Sequence, residues 1–195
     1  MAYDDRTALI VVDVQNDFAD PKGTLYVRGA GDVVAATNVE LARAVAAGSL
    51  VVYTQDWHPE STPHFVTEGG TWPVHCVAGT WGAELHPALD LVRGAQTVRK
   101  GTGGEDGYSG FSVRDPRSGD EHDTVLESVL RDRGVERVVV VGLATDYCVK
   151  ETALDALRRG FEVEVPAHAV AAVDLRPGDG ARALEAIASA GGEVD

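Results

Sequence analysis

The chain has 195 residues, 44% of them apolar, which suffices for one sizeable core and is short for two, so residues 1–195 are read as a single domain. Seventeen basic against 31 acidic side chains leave a net charge of −14, which disfavours nucleic acid or an anionic membrane as the main partner and leaves a small neutral or cationic ligand open. Two cysteines do not make a disulfide framework, MAYDDRTALI lacks a basic n-region, and no apolar run nears the roughly 18 to 20 residues of a membrane span, so the expected setting is a reducing cytoplasm.

The first predicted strand is ALIVVDV (8–14), and DVVAATNVELARAVAAG (32–48) follows with helical period and a terminal glycine. LVVYTQ (50–55) is predicted as the second strand and QTVRK (96–100) as the third. Then come the helix DTVLESVLRDRG (123–134), the strand RVVVVGL (137–143) and the helix DYCVKETALDALRRG (146–160). FEVEV (161–165) closes the strands and GDGARALEAIASAGG (178–192) the helices. Near-continuous apolar strands alternating with helices predict an α/β fold, with a parallel sheet covered on both faces. Residues 55–95 and 101–121, rich in Gly, Pro, His, Trp and charge, are loops too long to be mere connections, so function is expected there.

In open α/β sheets the ligand site lies outside the carboxyl ends of the strands. Asp13 follows ALIVV, Lys100 follows QTVR, and Cys148 lies in the first turn after RVVVVGL, so parallel strands would aim all three at one crevice. A thiol at a helix N-terminus is pushed toward thiolate by the macrodipole and by a nearby ammonium, and a carboxylate can take its proton. Taken singly, Cys148 reads as a small buried apolar residue, Asp13 as a loop cap and Lys100 as a solvated strand end. Their common edge of the sheet favours a nucleophile with its activators.

A second constellation is DWHPESTPHF followed by TWPVHCVAGTWGAELHP. Asp56 and His58 form a D-x-H pair whose side chains point the same way from an extended segment, and His64 and His75 follow. One carboxylate with two or three imidazoles suits a divalent ion such as Zn²⁺, Fe²⁺ or Mn²⁺. His86, before Pro87, reads as structural, His122 and His168 have no chemical companions, and Cys76 beside His75 reads as buried packing.

These segments together resemble the nicotinamidase (pyrazinamidase) branch of the isochorismatase-like cysteine hydrolase superfamily. VVDVQNDF, DWHP, TWPVHCVAGT with GAELHP, RKG with YSGF, and GLATDYCV match in the family's order from about residue 8 to 155. The resemblance implies a three-layer α-β-α sandwich around a mostly parallel six-stranded Rossmann-like sheet. It implies Asp13, Lys100 and Cys148 as catalytic residues, and Asp56, His58, His64 and His75 around one divalent metal ion, zinc before iron or manganese. A cis peptide at Leu143–Ala144 would turn the Ala144 N–H toward the Cys148 N–H to form an oxyanion hole, with Gly142 as the pivot. Phe18, Trp72, Tyr108, Leu143 and Ala144 would line the substrate pocket. The implied reaction is hydrolysis of nicotinamide, and of pyrazinamide, through a Cys148 thioester, serving NAD salvage; relatives are often dimers or larger, and the aromatic loop leaves room for a homo-oligomer.

Three positions depart from the family pattern: Ala78, Trp81, which is bulky enough to alter the pocket mouth or an interface, and Tyr147, where relatives often carry His. Three other readings stay open. Another amidase of the superfamily, acting on a ureido or carbamoyl substrate, would not need the Asp–His cluster. A hydrolase whose metal activates water would keep activity without Cys148, and a catalytically silent binding domain would release no ammonia.

Overall fold

The computed structural model describes residues 3–195. In chain order the elements are β1 (Thr7–Val12), the single turn α1 (Asn16–Ala19), α2 (Ala30–Ala46), β2 (Leu50–Asp56), β3 (Gln96–Lys100), β4 (Ser112–Arg114), β5 (Glu121–Asp123), α3 (Leu126–Asp132) and β6 (Arg137–Leu143). A π-helical turn (Thr145–Val149), α4 (Lys150–Arg158), β7 (Glu162–Val165), β8 (Val170–Ala171), α5 (Asp179–Ser189) and β9 (Glu193–Val194) complete the chain. The main sheet runs β3-β2-β1-β6-β7-β9, with β8 also paired to β6, so among the described residues it has seven strands where the resemblance implies six. Every ladder within it is parallel.

β1 is central because all six of its residues are apolar or small and buried, so it can be covered on both faces. Successive side chains point to opposite faces. Ala8, Ile10 and Val12 meet Leu126 and Leu130 of α3, Ala153 and Ala156 of α4 and Ile187 of α5. Leu9 and Val11 meet Val33, Val34, Leu41 and Ala44 of α2. The result is the expected three-layer sandwich. No helix among the described residues is long and apolar enough to cross a membrane.

The boundaries differ from the sequence expectation in several places. β1 ends at Val12, and Asp13 turns out of the strand at a φ of +49°, a left-handed conformation that Asp tolerates better than most residues. The expected start of a helix at 123 is taken by β5, whose polar residues pair antiparallel with β4, and α3 begins at Leu126. The segment after β6 opens as a π turn before α4, so Cys148 lies in that turn and not in the first turn of an α-helix.

Strand order reverses between β1 and β6, the crevice position of a doubly wound sheet. Gly142, at φ +111°, faces Val12 across that ladder, and a Cβ there would stand 2.2 Å from the Val12 carbonyl oxygen. Glycine is required at this point of contact. The Leu143–Ala144 peptide that follows is cis.

Candidate active site

Asp13, Lys100 and Cys148 arrive from the carboxyl ends of β1, β3 and β6, and all three are buried. Lys100 Nζ stands 2.9 Å from Asp13 Oδ2 and 3.6 Å from Cys148 Sγ, and it also donates to Asp56 Oδ1. Thr54 Oγ1 donates to Asp13 Oδ1 over 2.6 Å and accepts the Asp13 N–H, so the carboxylate is held on two sides. The acid, amine and sulfur therefore lie within reach of one another.

Their electrostatics differ from the sequence expectation in one respect. Burial pushes the Cys148 thiol well above its usual range; Lys100 opposes this, but Asp13 and Asp56 add to it. At rest the sulfur is a thiol, because dry carboxylates and lost solvation outweigh the ammonium and the short helical turn. Burial likewise raises Asp13 against the pull of Lys100, which makes it a better proton acceptor than an ordinary carboxylate. For Asp56 burial is outweighed by Lys100, His58 and His75, which bring it down to about 2. Lys100 loses solvation too, yet its two carboxylates hold it protonated well above the usual range.

The other half of the site is built from the segment between β2 and β3. Nitrogens of His58, His64 and His75 lie within 4.8 Å of one another, all three rings buried. Asp56 Oδ2 stands 3.9 Å from His58 Nε2 and 4.0 Å from His75 Nε2, so this one carboxylate touches both halves. Burial lowers the pKa of His58 to about 4 and also lowers that of His75, which leaves neutral imidazoles with lone pairs available. His75 Nδ1 is 2.7 Å from the Pro73 carbonyl oxygen and His64 Nδ1 is 3.0 Å from Asp106 Oδ1. Among the described residues, neither ring nitrogen of His58 has a hydrogen-bond partner. Three converging imidazoles, one carboxylate and an orphaned buried ring fit a borderline divalent cation.

Several supports carried no signal in the sequence. The Gln15 side chain donates to the carbonyls of Asp56 and Ala83 and accepts the Asp56 N–H, fixing the end of β2. Asp17 accepts the Cys76 N–H over 2.7 Å, pinning the residue that follows His75. Gly101 passes under the His58 ring at φ +74°, where a Cβ would come within 2.5 Å of the imidazole. Only the position of Gln15 and Asp17 within the matching VVDVQNDF segment could have pointed to them.

Both halves open into a cavity of about 240 Å³, small beside the roughly 300–1,000 Å³ of sites for drug-sized ligands. Phe18, Trp72, Tyr108, Leu143 and Ala144 all line it, as do Asp56, the three histidines and Cys148. Trp72 Nε1 donates to the Tyr108 hydroxyl over 3.0 Å, and Tyr147 meets Trp72 edge-on at 5.0 Å between ring centroids. Tyr147 is thus a wall residue. Trp81 is not: it is 46% exposed, lies outside the cavity, and accepts from Asn16 through its backbone carbonyl. Cys76 is buried as expected, and His86 contacts the loop after β1 through its N–H to the Val14 carbonyl.

A nicotinamidase/pyrazinamidase of Mycobacterium tuberculosis is 43% identical over 163 residues, covering 81% of this chain and 82% of that protein. The crystal structure of a pyrazinamidase of Pyrococcus horikoshii in complex with zinc superimposes with a TM-score of 0.87 at 41% identity, covering 97% of this chain and 98% of the other. The structure of PnC1 from L. infantum in complex with nicotinate gives a TM-score of 0.89 at 35% identity, over 100% of this chain and 95% of that one. The Isochorismatase domain model matches residues 7–194, so the chain belongs to the isochorismatase-domain family.

Proposed function

We infer that this chain hydrolyses the carboxamide of nicotinamide to nicotinate and ammonia through a thioester on Cys148, and accepts pyrazinamide as well. The observation that carries the mechanism is the contact of Lys100 Nζ with both Asp13 and Cys148, at 2.9 and 3.6 Å, beside a small aromatic cavity. The relatives and solved structures named as nicotinamidases and pyrazinamidases support the substrate.

Asp13 removes the Cys148 proton as the sulfur attacks the carboxamide carbon, and Lys100 stabilises the thiolate as it forms. The carbonyl electron pair moves onto oxygen, where the N–H groups of Ala144 and Cys148 stabilise it; losing one such donor typically costs about 3 kcal/mol. Asp13 then gives its proton to the departing nitrogen, the C–N bond breaks, and ammonia leaves. Water enters, Asp13 takes one of its protons, and the hydroxide displaces sulfur to give nicotinic acid, which ionises to nicotinate as the released ammonia takes up its proton. The proton on Asp13 returns to Cys148. The upward shift of Asp13, caused by its burial, suits this shuttle, because it makes the carboxylate more basic than an exposed one.

Asp56, His58, His64 and His75 would hold a divalent ion, zinc by analogy with the Pyrococcus structure, whose Lewis acidity would orient the pyridine ring through its nitrogen. Phe18, Trp72, Tyr108 and Tyr147 supply flat walls for the ring. Two free cysteines suit a reducing cytoplasm, with recovery of nicotinamide for NAD synthesis as the purpose.

Ammonia release from nicotinamide by zinc-loaded protein, with Cys148→Ala run beside it, tests the whole. The variant is expected to be inactive while still taking up zinc and nicotinamide. Activity that survives in Cys148→Ala but is lost on chelation would replace the thioester route with a metal-activated water, and no ammonia from either amide would overturn the assignment.

A further inference from the structure

The loop between β3 and β4 contributes a residue with no role in the chemistry above. Asp106 Oδ1 is hydrogen-bonded to His64 Nδ1 at 3.0 Å, across the gap between the two long loops. A carboxylate only accepts, so His64 Nδ1 carries the hydrogen, and in the neutral ring the lone pair then lies on Nε2. Of the three clustered rings, His75 leans on a neutral carbonyl and His58 has no hydrogen-bond partner; His64 has a carboxylate at its second nitrogen.

We propose that Asp106 is a positioning residue of the metal site, which fixes the tautomer and orientation of His64 and fastens the loop carrying Tyr108 to the imidazole cluster. This rests on the reading that the cluster holds a divalent ion. Asp106 is itself anchored: its N–H donates to the Arg114 carbonyl over 2.7 Å, and its Oδ1 accepts the Gly107 N–H over 2.9 Å. Thr62 makes a second tie between the loops, donating to the Gly104 carbonyl at 3.0 Å and accepting the His64 N–H at 3.3 Å. Two residues past Asp106, the Tyr108 hydroxyl accepts from Trp72, whose own N–H reaches the His64 carbonyl at 3.3 Å. The contacts therefore form a closed circuit from His64 through Asp106 and Tyr108 to Trp72 and back. An imidazole that donates its second N–H to a carboxylate is held in one orientation and is a more basic ligand.

The test is zinc affinity, measured on the full chain by competition with a chromophoric chelator, for the unaltered protein, Asp106→Ala and Asp106→Asn. Asp106→Ala is expected to bind zinc about 10–100-fold more weakly, as is typical for loss of an outer partner. Asp106→Asn should fall between, because its amide oxygen still accepts from Nδ1. Nitrogen-15 spectra of the histidines in zinc-free protein give a readout that a merely structural role would not move: His64 should be the Nδ1–H tautomer in the unaltered chain and a mixture in Asp106→Ala. If Asp106→Ala fails to fold, the Asn variant decides, with a several-fold weakening expected and unchanged affinity overturning the proposal. An Asp106→Ala protein with unaltered zinc affinity and tautomer removes this inference alone. If the unaltered chain takes no zinc at the cluster, the metal reading falls and this inference falls with it.

Discussion

The site consists of two halves that meet at Asp56, and they are finished to different degrees. Asp13, Lys100 and Cys148 stand on strand ends, are buried, and find their partners in one another and in Thr54. His58, His64 and His75 hang from a segment outside the main sheet, and neither ring nitrogen of His58 has a hydrogen-bond partner among the described residues. The first group is held by ion pairs among its own members, whereas the clustered imidazoles offer nitrogens that a cation could complete. The proposed mechanism thereby separates bond breaking from ligand holding, with the Asp56 carboxylate on the border.

The sharpest way to break this division is Cys148→Ala. It should lower kcat by roughly 10⁴-fold or more, with zinc affinity unchanged in the same competition assay. His58→Ala strikes the other half and should weaken zinc by more than the roughly 100-fold of an outer partner, raising KM for nicotinamide more than it lowers kcat. Steady-state kinetics showing the reverse pattern for the two variants would abolish the distinction.

Acid should act on the histidine half first. The folded pKa of His58 is depressed to about 4 from 6.5, so the unfolded chain takes the proton first. Its contribution is complete above about 6.5 and is lost as pH falls toward 4, a loss of about 3 kcal/mol. Thermal denaturation of zinc-free protein across that window should show the decline, and a flat profile would mean that the ring is not held neutral. The contribution of Asp56, depressed from 3.8 to about 2, goes only at still lower pH. The smallest effect is expected from Tyr108→Phe, which removes the acceptor for Trp72 Nε1 and costs about 1 kcal/mol. It should appear as a few-fold rise in KM with zinc affinity intact.

Much of this was legible because the strands are short runs of Val, Ile and Leu, and the reactive residues follow where those runs stop. Asp13 after ALIVV and Lys100 after QTVR could be placed on one edge from spacing alone. Whether the sulfur of Cys148 is charged could not, since that depends on how dry the site is and how many carboxylates share it. Thr54, Gln15 and Asp106 act on residues 41, 41 and 42 positions away, so their partners appear only with the register of the sheet and the path of the loops. β8 and β9, two residues each, are too short to show a period, and the polar β4–β5 hairpin looks like loop. Trp81 stands out by size, yet it lies outside the cavity and is about half exposed.

At Gly142 the main chains of β1 and β6 press together so closely that a single methyl group would collide with the Val12 oxygen. One residue further along each strand stand Asp13, the proposed proton shuttle, and Leu143, whose peptide bond to Ala144 is cis. Their separation is accordingly ruled by backbone against backbone, like two rails bolted at one sleeper. Repacking the aliphatic interior can loosen the whole protein while leaving that gauge as it was.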